Sequence, residues 1–113
     1  MPATAITEDV IGLTATAAIA QYQAVQATGA PAVAAGNAIG FATAAAASGA
    51  RVAIGVGITV LAVAGAAITL GALLEVHTTV TQVVTKSAGV SIGRALTSAA
   101  AAGDIIEVLM IPN

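Results

Sequence analysis

At 113 residues the chain has the length of one domain, and only 7% of it is charged, against roughly 25% in an ordinary soluble protein. Three scattered basic residues cannot neutralise a phosphate track, which excludes nucleic acid as a partner, and the absence of cysteine excludes disulfides and thiolate chemistry. All the charge rests on Glu8, Asp9, Arg51, Glu75, Lys86, Arg94, Asp104 and Glu107, so the surface must be made of Ala, Thr, Ser, Gly and Gln.

Met1–Val10 carries no Lys or Arg and holds two acids where a signal peptide would run apolar, so no secretory signal is read there. Pro2 cannot donate a ladder hydrogen bond, and Pro-Ala-Thr-Ala has no apolar period. Residues 1–10 are therefore expected to form an arm ahead of a β domain over 11–113. Glu8-Asp9 lacks the spaced oxygen ligands of a calcium loop and reads as part of that solvated arm.

Leu13–Thr28 is balanced between helix and strand, with Thr14, Thr16 and Tyr22-Gln-Ala-Val favouring strand. The Ala-rich pieces Ala15–Ala20, Ala44–Ala47 and Ala99–Ala102 have helical propensity, but each is about one turn long. Ser48-Gly49 and Gly103-Asp104 close the last two, which are read as loops or single turns. Val52, Ile54, Val56, Ile58 and Val60 alternate with small residues, the period of a strand with one apolar face. Leu70–Glu75 is the predicted helical turn, Val76–Thr85 a strand or hairpin, and Ile105–Ile111 a strand covered on both faces and stopped by Pro112.

Mean hydropathy of +1.02 and the uncharged run Val52–Leu74 have the length of a membrane span. The charge-free stretch Val10–Ala50 is longer still, yet holds Gln21, Gln23, Gln26, Pro31 and Asn37, so lack of charge belongs to the whole chain. The run is rich in Gly and Ala and has neither a basic flank nor an aromatic belt, and no membrane partner is expected.

The chain also repeats itself. Ile39-Gly-Phe-Ala, a small-residue loop, Gly49 and the strand through Ile54 match Ile92-Gly-Arg-Ala, a small-residue loop, Gly103 and the strand through Val108. Two similar strand–loop–strand units, about 39–54 and 92–108, are expected inside one β domain.

No chemistry-bearing constellation emerges. His77 is the only histidine and has no ligand set around it, so it is read as a strand residue facing solvent or a subunit contact. Ser48, Ser87, Ser91 and Ser98 stand in small-residue loops without a nucleophile elbow. Gly55–Gly57 lies inside a strand and does not lead into a helix, unlike a nucleotide loop. No catalysis, cofactor or metal is expected.

Tyr22-Gln-Ala-Val25, Ile39–Gly49, Val52–Val60, Ala64–Leu74 and above all Ile92–Leu109 resemble, in that order, the phage capsid cement (decoration) protein family. Ala72 departs from that pattern, where a charged or polar residue is expected. The resemblance implies a mainly β, barrel-like or sandwich-like domain with one or two short helical turns. It further implies a homotrimer on the outer capsid surface of the virion, assembled in the host cytoplasm, with the major capsid protein as partner and shell stabilisation as function. Within that reading Pro2, Thr4, Ile6, Glu8 and Asp9 are the expected capsid contacts, since such an arm can order by adding a strand to a neighbour's edge; an ordinary frayed terminus is the alternative. A small membrane-associated or self-assembling shell or fibre protein is the alternative.

Overall fold

The computed structural model describes residues 10–56 and 59–111. They form nine strands: β1 (Val10–Thr14), β2 (Ala24–Val25), β3 (Gly40–Ala42), β4 (Arg51–Gly55), β5 (Thr59–Val63), β6 (Leu73–Val76), β7 (Val83–Thr85), β8 (Gly93–Ala95) and β9 (Ile105–Met110). The strands make two antiparallel sheets, β1-β4-β3-β2 and β5-β9-β8-β6-β7. The fold is all-β and sandwich-like. No closed barrel and no helix occur among the described residues.

The two sheets share one wiring. The order β1-β4-β3-β2 of the first sheet recurs as β5-β9-β8-β6 in the second, where β7 adds a fifth strand beside β6. Hydrogen bonds outside the strands recur as well. Ala15 and Gly49 bond as Ala64 and Gly103 do, at 2.7 and 2.8 Å, and the bridge Ile19–Ala46 has its counterpart in Ile68–Ala99. Tyr22 donates its N–H to the Ala42 carbonyl, as Gly71 does to that of Ala95. Both stand at positive φ, 65° and 87°, so the tyrosine holds a conformation that glycine adopts freely.

Each unit closes over its own apolar cluster. Ala15, Ile19, Val25, Ala42, Val52 and Ile54 fill the first. Ala64, Ile68, Leu74, Ala95, Ile106 and Val108 stand at the matching positions of the second. The units join where Phe41, Ala24, Ala32 and Ala38 of the first enter the cluster of the second. Ala35 adds a backbone clamp: its N–H donates to the Val76 carbonyl and its carbonyl accepts from the Val90 N–H.

Several expectations need correction. The alternating run Val52–Val60 is not one strand, because β4 ends at Gly55 in one sheet and β5 begins at Thr59 in the other. Alternation records which side chains face inward, not which sheet a residue joins. Leu70–Glu75 is not a helical turn. Gly71 sits at φ 87°, and from Leu73 the chain pairs with β8, so ladder bonds replace helical ones. β9 is not covered on both faces: Ile106 and Val108 are buried, while Ile105 is 47% exposed. Val10, placed in the arm by the sequence, pairs with Gly55 at the start of β1.

The Ile-Gly-x-Ala repeat has a steric reason. A Cβ at Gly40 would stand 2.3 Å from the Gly55 carbonyl oxygen, and one at Gly93 would stand 2.4 Å from a Val108 methyl and 2.8 Å from the Leu109 carbonyl oxygen. These neighbours are backbone or buried side chain and have nowhere to move. At Gly12 the atom met is the far end of the Arg51 side chain, which is free to swing away. Gly40→Ala and Gly93→Ala should each destabilise the fold by about 1–3 kcal/mol in urea unfolding, the usual cost of overpacking. Gly12→Ala should stay within about 0.5 kcal/mol, and equal effects at all three would refute the close-approach account.

Candidate functional site

The described residues hold no group of three or more His, Asp or Glu side chains placed to share a metal ion. No described helix is long and apolar enough to cross a membrane. Pro2, Thr4, Ile6, Glu8 and Asp9 lie outside the described residues, ahead of the edge strand β1.

Two of the polar residues singled out hold loops in place. His77 stands just past β6 in the β6–β7 connection, not in a strand. It is half-buried, and its Nδ1 accepts the Thr79 N–H at 3.2 Å, so it caps the turn. Glu75 is buried on β6. One of its carboxylate oxygens accepts the backbone N–H of Ser87 and, at 3.3 Å, that of Gly89. Gln26 occupies the matching place in the first unit and donates its side-chain amide to the Pro31 carbonyl at 3.0 Å. Sequence reasoning missed both anchors. Their only sign is a polar residue directly after an apolar strand segment.

The outward faces of the two sheets differ strongly. On β5, β9 and β8 the outward positions carry Leu61, Val63, Ile105, Glu107, Leu109, Arg94 and, just past β8, Leu96. Across the ladder Leu61 opposes Glu107, whose backbone carbonyl accepts the Leu96 N–H. Glu107 is half-buried between these leucines and its carboxylate makes no hydrogen bond among the described residues, whereas Arg94 donates to the Gly71 carbonyl at 2.7 Å. On β1 and β4 the outward positions carry Val10, Gly12, Thr14, Arg51 and Ala53, all exposed. Gly12 opposes Ala53 and Thr14 opposes Arg51, leaving a nearly side-chain-free strip under one guanidinium.

Both faces have the make-up of contact surfaces. Isolated exposed apolar residues are ordinary. A sheet face on which Ile105 and Leu96 are 47% and 39% exposed beside half-buried Leu61, Val63 and Leu109 is a candidate contact surface.

The comparisons with known proteins agree with a contact role. The model of a family described as phage cement protein matches residues 5–110. Among solved structures the chain is similar to the head fiber gp8.5 N base of bacteriophage phi29, with TM-score 0.73 and 15% sequence identity. That likeness covers 91% of this chain and 93% of the other, and it is a likeness of fold. No curated protein sequence matches the chain.

The Glu75 anchor can be tested directly. Glu75→Ala strips the acceptor from two backbone N–H groups and should lower stability by about 1.5–3 kcal/mol in thermal or urea unfolding. Glu75→Gln keeps one acceptor oxygen and should lose less. Amide exchange at Ser87 and Gly89 should quicken in the alanine variant, and unchanged exchange would contradict the anchoring role.

Proposed function

The chain belongs to the phage cement protein family and is a structural component of a phage head, and from that premise we propose that it binds the outer capsid surface as a trimer and stabilises the mature shell. The family match over residues 5–110 carries the reading. The physics of the surface supports it. Interfaces are depleted in charge at their centres, and a chain with five acids and three bases has little surface to reserve for solvent alone. A cement subunit must contact both its own copies and several capsid subunits, which favours a surface of small and apolar side chains over a charged one.

The segment before β1 is assigned to the capsid contact, through Pro2, Thr4, Ile6, Glu8 and Asp9. β1 is an edge strand, and a segment lacking its own apolar period gains most by pairing with an exposed edge on a neighbour. The major capsid protein supplies that edge. The role is mechanical: many weak apolar contacts per subunit, repeated over the shell, oppose separation of the capsid subunits they bridge. No reacting group takes part.

Two measurements on purified heads test this. Binding should change little between dilute buffer and about 1 M salt, where the screening length falls to about 3 Å, because few ion pairs are available to screen. Release by salt would contradict an apolar contact. Deleting residues 2–9 should leave the thermal midpoint of the isolated protein unchanged and clearly weaken head binding. Unchanged binding would remove the arm from the contact, and a collapsed midpoint would make it part of the core.

A further inference from the structure

The two outward sheet faces fit each other better than either fits a generic partner. Both are built on the same strand frame, so corresponding positions are read off directly. Where the second unit has Leu61, Ile105, Glu107 and Leu109, the first has Gly12, Arg51, Ala53 and Gly55. One face is raised and mostly apolar around a single carboxylate, with Arg94 on its β8 side. The other is low at Gly12 and Ala53 beside a single guanidinium, with Val10 and Thr14 at its two ends. Neither charge is partnered within the described residues: the Arg51 guanidinium only lies over Gly12, and no group bonds the Glu107 carboxylate.

Covering this face would bury the Glu107 carboxylate between Leu61 and Leu96, which is costly unless the partner brings a cation to meet it. Within the chain Arg94 is not that cation, since its guanidinium is turned to the Gly71 carbonyl. Arg51 of the same chain stands on the other sheet. A second copy offers Arg51 on a surface whose Gly12 and Ala53 leave room for Leu61 and Ile105. Complementary bulk and complementary charge then coincide on one pair of faces.

We infer that copies of this chain associate head to tail, with the β5-β9-β8 outward face of one seated on the β1-β4 outward face of the next and Glu107 paired with Arg51 across the contact. Because the contact joins two different faces, it repeats from copy to copy and closes into a ring where the rotation permits. This deepens, and rests on, the trimer of the proposed function, for which it names the surfaces. A standard contact takes roughly 800 Å² from each partner, so engaging both faces would cover close to a third of the 5269 Å² surface of one copy. That is a large share for a chain of this size.

The test is a charge exchange read by sedimentation velocity. The native chain should form a closed oligomer. Arg51→Glu sets acid against acid and Glu107→Arg sets base against base, and each should weaken self-association at least about tenfold. The double variant restores opposite charges across every contact and should regain the native oligomer. A native chain that remains monomeric overturns the inference. So do single variants of native mass, or a folded double variant that stays apart.

Should a reversal unfold the chain, the lack of native cysteine offers a second route. Ala53→Cys and Leu61→Cys chains, mixed under mild oxidation, should cross-link to each other. Cross-links only between like chains, or none, would count against the arrangement. Binding of the native chain to heads separates the two claims. Chains that bind heads but ignore the exchange sink only the head-to-tail contact, and chains that obey the exchange but never bind heads sink only the capsid role.

Discussion

β3 and β8, the matching strands of the two units, must each lie against a neighbour with no side chain between them. Gly40 approaches the Gly55 carbonyl, and Gly93 approaches Val108 and Leu109, more closely than any Cβ allows. β3 sits between β2 and β4, and β8 between β6 and β9. Their position sets how the short second strand reaches the ladder and where the small-residue loop folds back. The alanines that follow, Ala42 and Ala95, are buried in the two clusters and continue the same economy of volume. Cores this poor in bulk hold together through backbone proximity, so an added methyl is felt at once.

That constraint explains why the Ile-Gly-x-Ala repeat was legible in the sequence. Glycine followed by alanine at a fixed distance from an apolar strand is a steric demand written in residue type. The same demand wrote a second repeat that sequence reasoning passed over. Ala15-Thr-Ala-Ala-Ile19 and Ala64-Gly-Ala-Ala-Ile68 lead to the matching bridges Ile19–Ala46 and Ile68–Ala99. The two repeats are offset differently, by 49 residues from Ile19 to Ile68 and by 53 from Ala46 to Ala99. The second unit inserts β7 between them, and that longer connection hides the common frame.

Other features left no clear trace. The alternation through Val52–Val60 runs unbroken across the passage from one sheet to the other, because both flanking strands keep their apolar residues inward. Leu70–Glu75 has helix-forming residues, but isolated propensity over a few residues yields to ladder pairing. The outward faces were the least legible. Leu61 or Leu109 reads as core in an apolar chain, and only the register shows that they stand beside Glu107 on the side away from the cluster. The candidate site is thus a property of pairing: residues ordinary in sequence become a surface when three strands place them together.

Together, a sparse core and an almost uncharged surface suit the proposed role, in which the chain works through contact with other subunits. The most direct measurement is calorimetry of phage heads stripped of this protein, compared with the same heads after it is added back. A ligand that binds the assembled shell and not its dissociated subunits must raise the shell's transition. The account predicts a transition that moves to higher temperature as protein is added and stops moving at saturation. Heads that bind the protein and melt where they did before would contradict a stabilising role.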